Sequence, residues 1–229
     1  NAAGGIVTRK TLTGHVLTEG QFTFKVEALA GDNTTAEENA KRIGLKDGLF
    51  GEYKNVADED NDGIAEMKTQ NERAIAFTNN DIGKTFKYQF SEQGADNQFG
   101  SGGTKNGYIY DDTIYTVELW VTDDLDGTLT LHTKVTDQNG NETTTESNET
   151  ADGYKETILA FNNSYAATGD LDGTTALEVT KVLEGREWND NDSFNFRLEA
   201  TGDTVQAVEN GNVKLPENAV NIQINKTAG

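Results

Sequence analysis

Alternation at every second position is the feature that most narrows what this chain can become. Phe86, Tyr88 and Phe90 lie on one side of a run, and Tyr115, Val117, Leu119 and Val121 on one side of another. Leu129, Leu131, Thr133 and Val135 do the same in a third. Side chains two apart share a face of a strand, so each run reads as a half-buried strand. Asp123-Asp124-Leu125-Asp126-Gly127 joins the second run to the third, and Asp-Gly between alternating runs signals a hairpin. Residues 6–12, 22–28 and 159–165 alternate likewise, and Gln138-Asn139-Gly140-Asn141 marks a further turn. Residues 33–44 depart from the pattern toward a helix. There Thr34 or Thr35 precedes Glu37 or Glu38 by three, a capping-box spacing, and Ala36, Ala40 and Ile43 recur at helical intervals. Residues 45–80 read as polar and turn-rich, 94–107 as a Gly-rich loop and 143–152 as a polar tract. The expectation is an all-β sandwich of the immunoglobulin-like kind with one short inserted helix.

An internal echo divides the chain. Val7-Thr8-Arg9-Lys10-Thr11-Leu12-Thr13-Gly14 returns as Val179-Thr180-Lys181-Val182-Leu183-Glu184-Gly185, and Phe22-Thr23-Phe24-Lys25-Val26 returns as Phe194-Asn195-Phe196-Arg197-Leu198. Between the copies, residues 166–175 are rich in Gly, Asp and Thr. A first domain is expected over 1–168. A second, over 169–229, holds a third to a half of its strands, as a fragment or as a fold completed from elsewhere.

Net charge is −20, which argues against nucleic acid and anionic membrane as partners, since both require a basic surface. No apolar run is long enough to span a bilayer, and no leader is present, so the chain reads as a mature segment of something longer. It has no Cys, and an exported β-protein without disulfides needs another source of durability.

Parity supplies a candidate for that source. Lys10 falls on the face of Ile6 and Leu12, Glu92 on that of Phe86, Tyr88 and Phe90, and Asn163 on that of Leu159, Phe161 and Tyr165. Lys181 repeats the Lys10 position beside Leu177, Val179 and Leu183. One reading is that these groups sit at strand ends, where inward parity no longer means burial, with the lysine stems running out to water. The other is chemical. Burial drives Lys toward its neutral amine and Glu toward its neutral acid. A neutral amine can attack a carboxamide that an acid polarises, expelling ammonia and leaving a Lys10–Asn163 amide. Asn162 shares the weaker face of Ala160 and Ser164, which favours Asn163 as the partner.

These residues resemble the pilin isopeptide-linkage domains of Gram-positive surface proteins. The shared features are Lys10 in VTRKTLTG, the FTF strand after it, Gly83 followed by Tyr88-Gln89-Phe90-Ser91-Glu92, the YTVELWV strand with its Asp-Gly hairpin, and the closing FNNSY. The resemblance implies tandem immunoglobulin-like (CnaB-type) sandwiches. It implies a self-formed bond between Lys10 and Asn163 with Glu92 as proton shuttle, and Lys181 as a donor whose partner lies outside this chain. It implies a structural stalk or shaft segment, not an enzyme and without a cofactor, in an adhesin or pilus on the bacterial cell surface. Its partners would be neighbouring domains, with cell-wall anchoring and any host ligand supplied by other parts. The 30–80 region is longer than the family pattern leads one to expect.

An alternative function is a ligand- or calcium-binding adhesin module using the 30–80 insertion or the 94–107 loop. Asp58, Asp60 and Asp62 begin like a calcium loop, but Thr69 stands where a bidentate Glu is required, which favours an acidic turn. Leu215-Pro216-Glu217-Asn218-Ala219 lacks the remainder of a sorting signal. His15 and His132 lack zinc partners. No nucleophile elbow or phosphate loop is present, no carboxylate pair stands out for glycoside hydrolysis, and Trp120 and Trp188 read as core or rim residues.

Overall fold

The computed structural model describes residues 2–46, 48–68, 74–150, 153–166, 181–202 and 205, and the backbone of 221–225. The chain divides into two compact units, Asn1–Tyr165 and Ala166–Gly229.

The first unit is two sheets with a shared apolar core. In chain order its strands are β1 (Ala2–Thr13), β2 (Thr23–Leu29), β3 (Phe50–Lys54), β4 (Ile64–Lys68), β5 (Ile75–Phe77), β6 (Phe86–Glu92), β7 (Gly103–Lys105), β8 (Tyr108–Tyr110), β9 (Ile114–Asp123), β10 (Leu129–Thr136), β11 (Glu146–Glu149) and β12 (Lys155–Tyr165). One sheet runs β4-β1-β12-β8-β7, with β5 also pairing β1 and β11 also pairing β12; the other runs β10-β9-β6-β2-β3. Ile6, Leu12, Leu159 and Phe161 from the first sheet meet Phe24, Phe86, Tyr88, Phe90, Val117 and Leu119 from the second in one buried cluster.

The first and last strands of the unit, β1 and β12, lie side by side and parallel, with Lys10 opposite Phe161 and Leu12 opposite Asn163. A parallel pair cannot be closed by a tight turn, so the intervening chain must cross over and supply the facing sheet. Immediately after β1 comes Gly14, whose φ is +83° and where a Cβ would run into the Tyr165 carbonyl.

The capping-box spacing becomes the helix α1 (Ala36–Arg42): the Thr35 hydroxyl accepts from the Glu38 N–H while the Glu38 carboxylate accepts from the Thr35 N–H. Arg42 at its C-terminal end donates to the Ala76 carbonyl and the Asp81 carboxylate and lies 3.9 Å from the Phe86 ring centroid.

Three stretches expected as turn or loop hold strands. Residues 45–80 contain β3, β4 and β5, which pair with β2 or β1; these are short strands, half polar, whose partners are remote in sequence. Residues 94–107 contain β7 and lead into β8 through Asn106 and Gly107, at φ +53° and +85°, the left-handed pair a two-residue hairpin needs. Residues 143–152 contain β11 on β12.

In the second unit, strand β13 (Ser193–Arg197) pairs antiparallel with β14 (Asn221–Asn225), Phe194 opposite Ile224 and Phe196 opposite Ile222. Residues 181–184 have no strand structure. The expected neighbours Leu177 and Val179, the linker 167–175, Thr69 and residues 215–219 lie outside the described residues.

Candidate functional site

Lys10, Glu92 and Asn163 meet between the sheets. Lys10 and Asn163 project from the adjacent parallel strands β1 and β12, and Glu92 from the last position of β6, which pairs with Phe24 in the facing sheet. Lys10 and Glu92 are fully buried and Asn163 is 2% exposed, so the strand-end reading does not hold here. Asn162, one residue over, is exposed, as parity requires.

The Lys10 Nζ donates to Glu92 Oε2 at 2.7 Å, and the Asn163 Nδ2 donates to Glu92 Oε1 at 2.6 Å. One carboxyl group therefore holds the amine and the carboxamide nitrogen at once. Around it stand aromatic rings. Lys10 Nζ lies 4.5 Å from the Phe22 centroid, the Phe24 and Phe161 centroids are 5.4 Å apart, and Tyr115 meets Phe161 edge-on at 5.2 Å.

This low-dielectric setting acts on both charges. Burial pulls Lys10 down to about 8, against the opposing pull of Glu92. Burial likewise pushes Glu92 up to about 7, opposed by Lys10 and by its hydrogen bonds to Lys10 and Asn163. Each partner is moved toward its uncharged form, a nucleophilic amine and a proton-donating acid.

Residue parity did not reveal Asp111, in the link between β8 and β9. Its backbone N–H donates to Asn163 Oδ1 at 2.8 Å. A backbone N–H can only donate, which fixes the carboxamide with its oxygen toward Asp111 and its nitrogen toward Glu92. The Asp111 carboxylate accepts the Asn162 N–H at 2.7 Å and the Thr113 N–H at 2.8 Å. The signal available in the sequence was Asp111-Asp112-Thr113 directly after a strand, a pattern that favours an Asp side chain bonding to the backbone two residues on. It also corrects the division of labour expected from sequence, in which Glu92 polarised the carboxamide oxygen: in the structure Glu92 faces the nitrogen.

The other candidates lie elsewhere. Lys181, in the second unit, is half-buried with Nζ 4.9 Å from the Phe194 centroid. Asp58, Asp60 and Asp62 bring carboxylate oxygens within 4.8 Å of one another. The Asp58 carboxylate accepts the N–H groups of Asp62 and Gly63, and Asp62 accepts that of Ile64, which are turn-forming bonds. Trp120 stacks on His132 at 5.2 Å. No described helix is long and apolar enough to cross a membrane.

A mostly β, two-sheet fold with a Lys, a Glu and an Asn in contact in its core belongs to the class of Gram-positive pilin isopeptide domains. More particularly, residues 6–166 match the family model FctA, described as the Spy0128-like isopeptide containing domain, and the chain belongs to that family. It is a family of structural domains, not enzymes. Among solved structures, the chain is similar to the major pilin from Streptococcus pyogenes at 18% identity and a TM-score of 0.37, covering 73% of this chain and 52% of that one. It is also similar to the major pilin T3.2 from S. pyogenes serotype GAS13637 at 19% identity and a TM-score of 0.37, covering 73% and 54%. The chain thus spans about half the length of these pilins. No curated protein sequence matches it.

Proposed function

We propose that the first unit is a load-bearing shaft module of a bacterial surface pilus or adhesin, locked by a Lys10–Asn163 amide formed without an external enzyme. The observation that carries this reading is the single buried carboxyl group, Glu92, hydrogen-bonded to both the Lys10 amine and the Asn163 carboxamide nitrogen.

In the step proposed, neutral Lys10 Nζ adds to Asn163 Cγ and passes a proton to Glu92 Oε2. Protonated Glu92 delivers its own proton from Oε1 to Nδ2. The Cγ–Nδ2 bond breaks, ammonia leaves and the Nζ–Cγ bond remains. Atoms balance with no co-reactant, and Glu92 ends as it began. Fixed proximity stands in for a catalyst, because well-oriented intramolecular pairs reach very large effective molarities.

The mechanical consequence follows from topology. Tension enters the unit at the start of β1 and leaves at the end of β12, so the parallel pair is loaded in shear. An amide between residues 10 and 163 removes residues 11–162 from the load path. The partners of such a module are the neighbouring domains of the same surface protein, with cell-wall attachment and host recognition carried by other parts.

Intact mass tests the reading. Purified protein lighter than its sequence by one ammonia is expected, with the missing mass assigned by fragmentation to a peptide pair containing Lys10 and Asn163. Full sequence mass in folded protein refutes it.

A further inference from the structure

The cross-link proposed above leaves one charge unattended. As Nζ adds to Cγ, the carboxamide oxygen gains negative charge, and in a core closed to water that charge needs a fixed donor. Glu92 cannot supply it, since its two oxygens are engaged with the two nitrogens. The group on Asn163 Oδ1 is instead the Asp111 backbone N–H, at 2.8 Å.

Resting on that cross-link reading, we infer that the Asp111 backbone N–H is the oxyanion donor of the condensation, and that the Asp111 carboxylate positions this N–H against Asn163. Two structural features support the assignment. A peptide N–H neither ionises at working pH nor rotates away, so it meets the developing charge with no reorganisation. Its placement is also held from two sides. β8 pairs antiparallel with β12 at Ser164–Ile109 and Tyr165–Tyr108. Past that ladder the Asp111 carboxylate binds the N–H of Asn162 on β12 and the N–H of Thr113 on its own loop. One residue thus grips the backbone beside the reacting carboxamide while pointing its own N–H at that carboxamide's oxygen. A loop tie serving stability alone would need the carboxylate bonds but not the N–H on Oδ1.

The test is the rate of ammonia loss in full-length chain recovered unlinked from inclusion bodies and refolded by dilution, read by intact mass against time, with circular dichroism reporting the folded fraction. Asp111→Pro removes the donor; Tyr110 before it is already extended, the conformation a following proline requires. Among folded molecules it is expected to link about 10²–10³-fold more slowly than wild type, the usual loss for one oxyanion donor. Asp111→Ala keeps the N–H but frees the loop, and is expected to slow linking about tenfold or more through misplacement. Asp111→Asn keeps an acceptor for Thr113 and is expected to recover much of the rate. A folded Asp111→Pro chain that links at the wild-type rate overturns the donor assignment. Should that variant not fold, Asp111→Ala decides: linking at the wild-type rate overturns the positioning role, and slow linking rescued by Asp111→Asn supports it. Wild-type protein that never loses ammonia defeats the cross-link itself, and the Asp111 assignment with it, so the two failures are separable.

Discussion

Removing Glu92 should separate the cross-link from the fold. A Glu92→Ala chain loses the carboxyl group that bridges Lys10 Nζ and Asn163 Nδ2, and is expected to fold with its full sequence mass. The missing amide closes a loop of about 150 residues, and the chain-entropy treatment used for disulfides assigns about 5 kcal/mol to a loop of that size. For a domain of this length each kcal/mol moves the melting temperature by roughly 2–4 °C, so loss of the amide alone should lower it by roughly 10–20 °C. Glu92→Ala also strips the partner from a buried amine, adding a few kcal/mol. Asn163→Ala removes the amide by a different route and leaves the Lys10–Glu92 contact in place. The deficit common to both variants is therefore the amide itself. Scanning calorimetry beside intact mass on wild type and both variants is the assay. Two results would refute the reasoning: a wild type at full sequence mass, or two unlinked variants that melt within a couple of degrees of a linked wild type.

The pH dependence of linking should be bell-shaped. Burial lowers Lys10 to about 8, so below that pH the amine carries its proton in most molecules. Burial raises Glu92 to about 7, so above that pH most molecules lack the proton Glu92 must deliver. The rate of ammonia loss on refolding should peak where the two limits cross, between about 7 and about 8. A rate that climbs steadily to pH 10 would mean that Glu92 is not the acid. Asn162→Ala should leave the mass one ammonia below sequence, because Asn162 points to solvent; loss of the link would reassign the acceptor. Arg42→Ala should cost about 2–3 kcal/mol in denaturant unfolding by releasing α1 from Asp81, the Ala76 carbonyl and the Phe86 ring, while linking stays complete. Calcium titrated into the protein should release no binding heat, since Asp58 and Asp62 already spend carboxylate oxygens on their own turn; a stoichiometric isotherm would overturn that reading of the turn.

Strand parity by itself determined which faces are apolar and that Lys10, Glu92 and Asn163 share those faces while Asn162 does not, because a period of two leaves no choice of side. That the faces are closed to water at those three positions was decided by the fold. The capping box, a local pattern spanning four residues, likewise determined α1 from the sequence. Only the tertiary structure decided what those inward groups touch. That β1 and β12 lie parallel and adjacent, that β6 faces them, and that the Asp111 N–H reaches Asn163 all depend on pairings between residues more than 50 positions apart, and local periodicity carries no record of them. The short strands β3, β4 and β5 escaped sequence reading because their order comes from backbone bonds to β2 and β1, more than 20 positions away, while about half of their own side chains stay in water. β11 is a near neighbour of β12, but Glu146, Ser147 and Glu149 are exposed, so it has no apolar face to read.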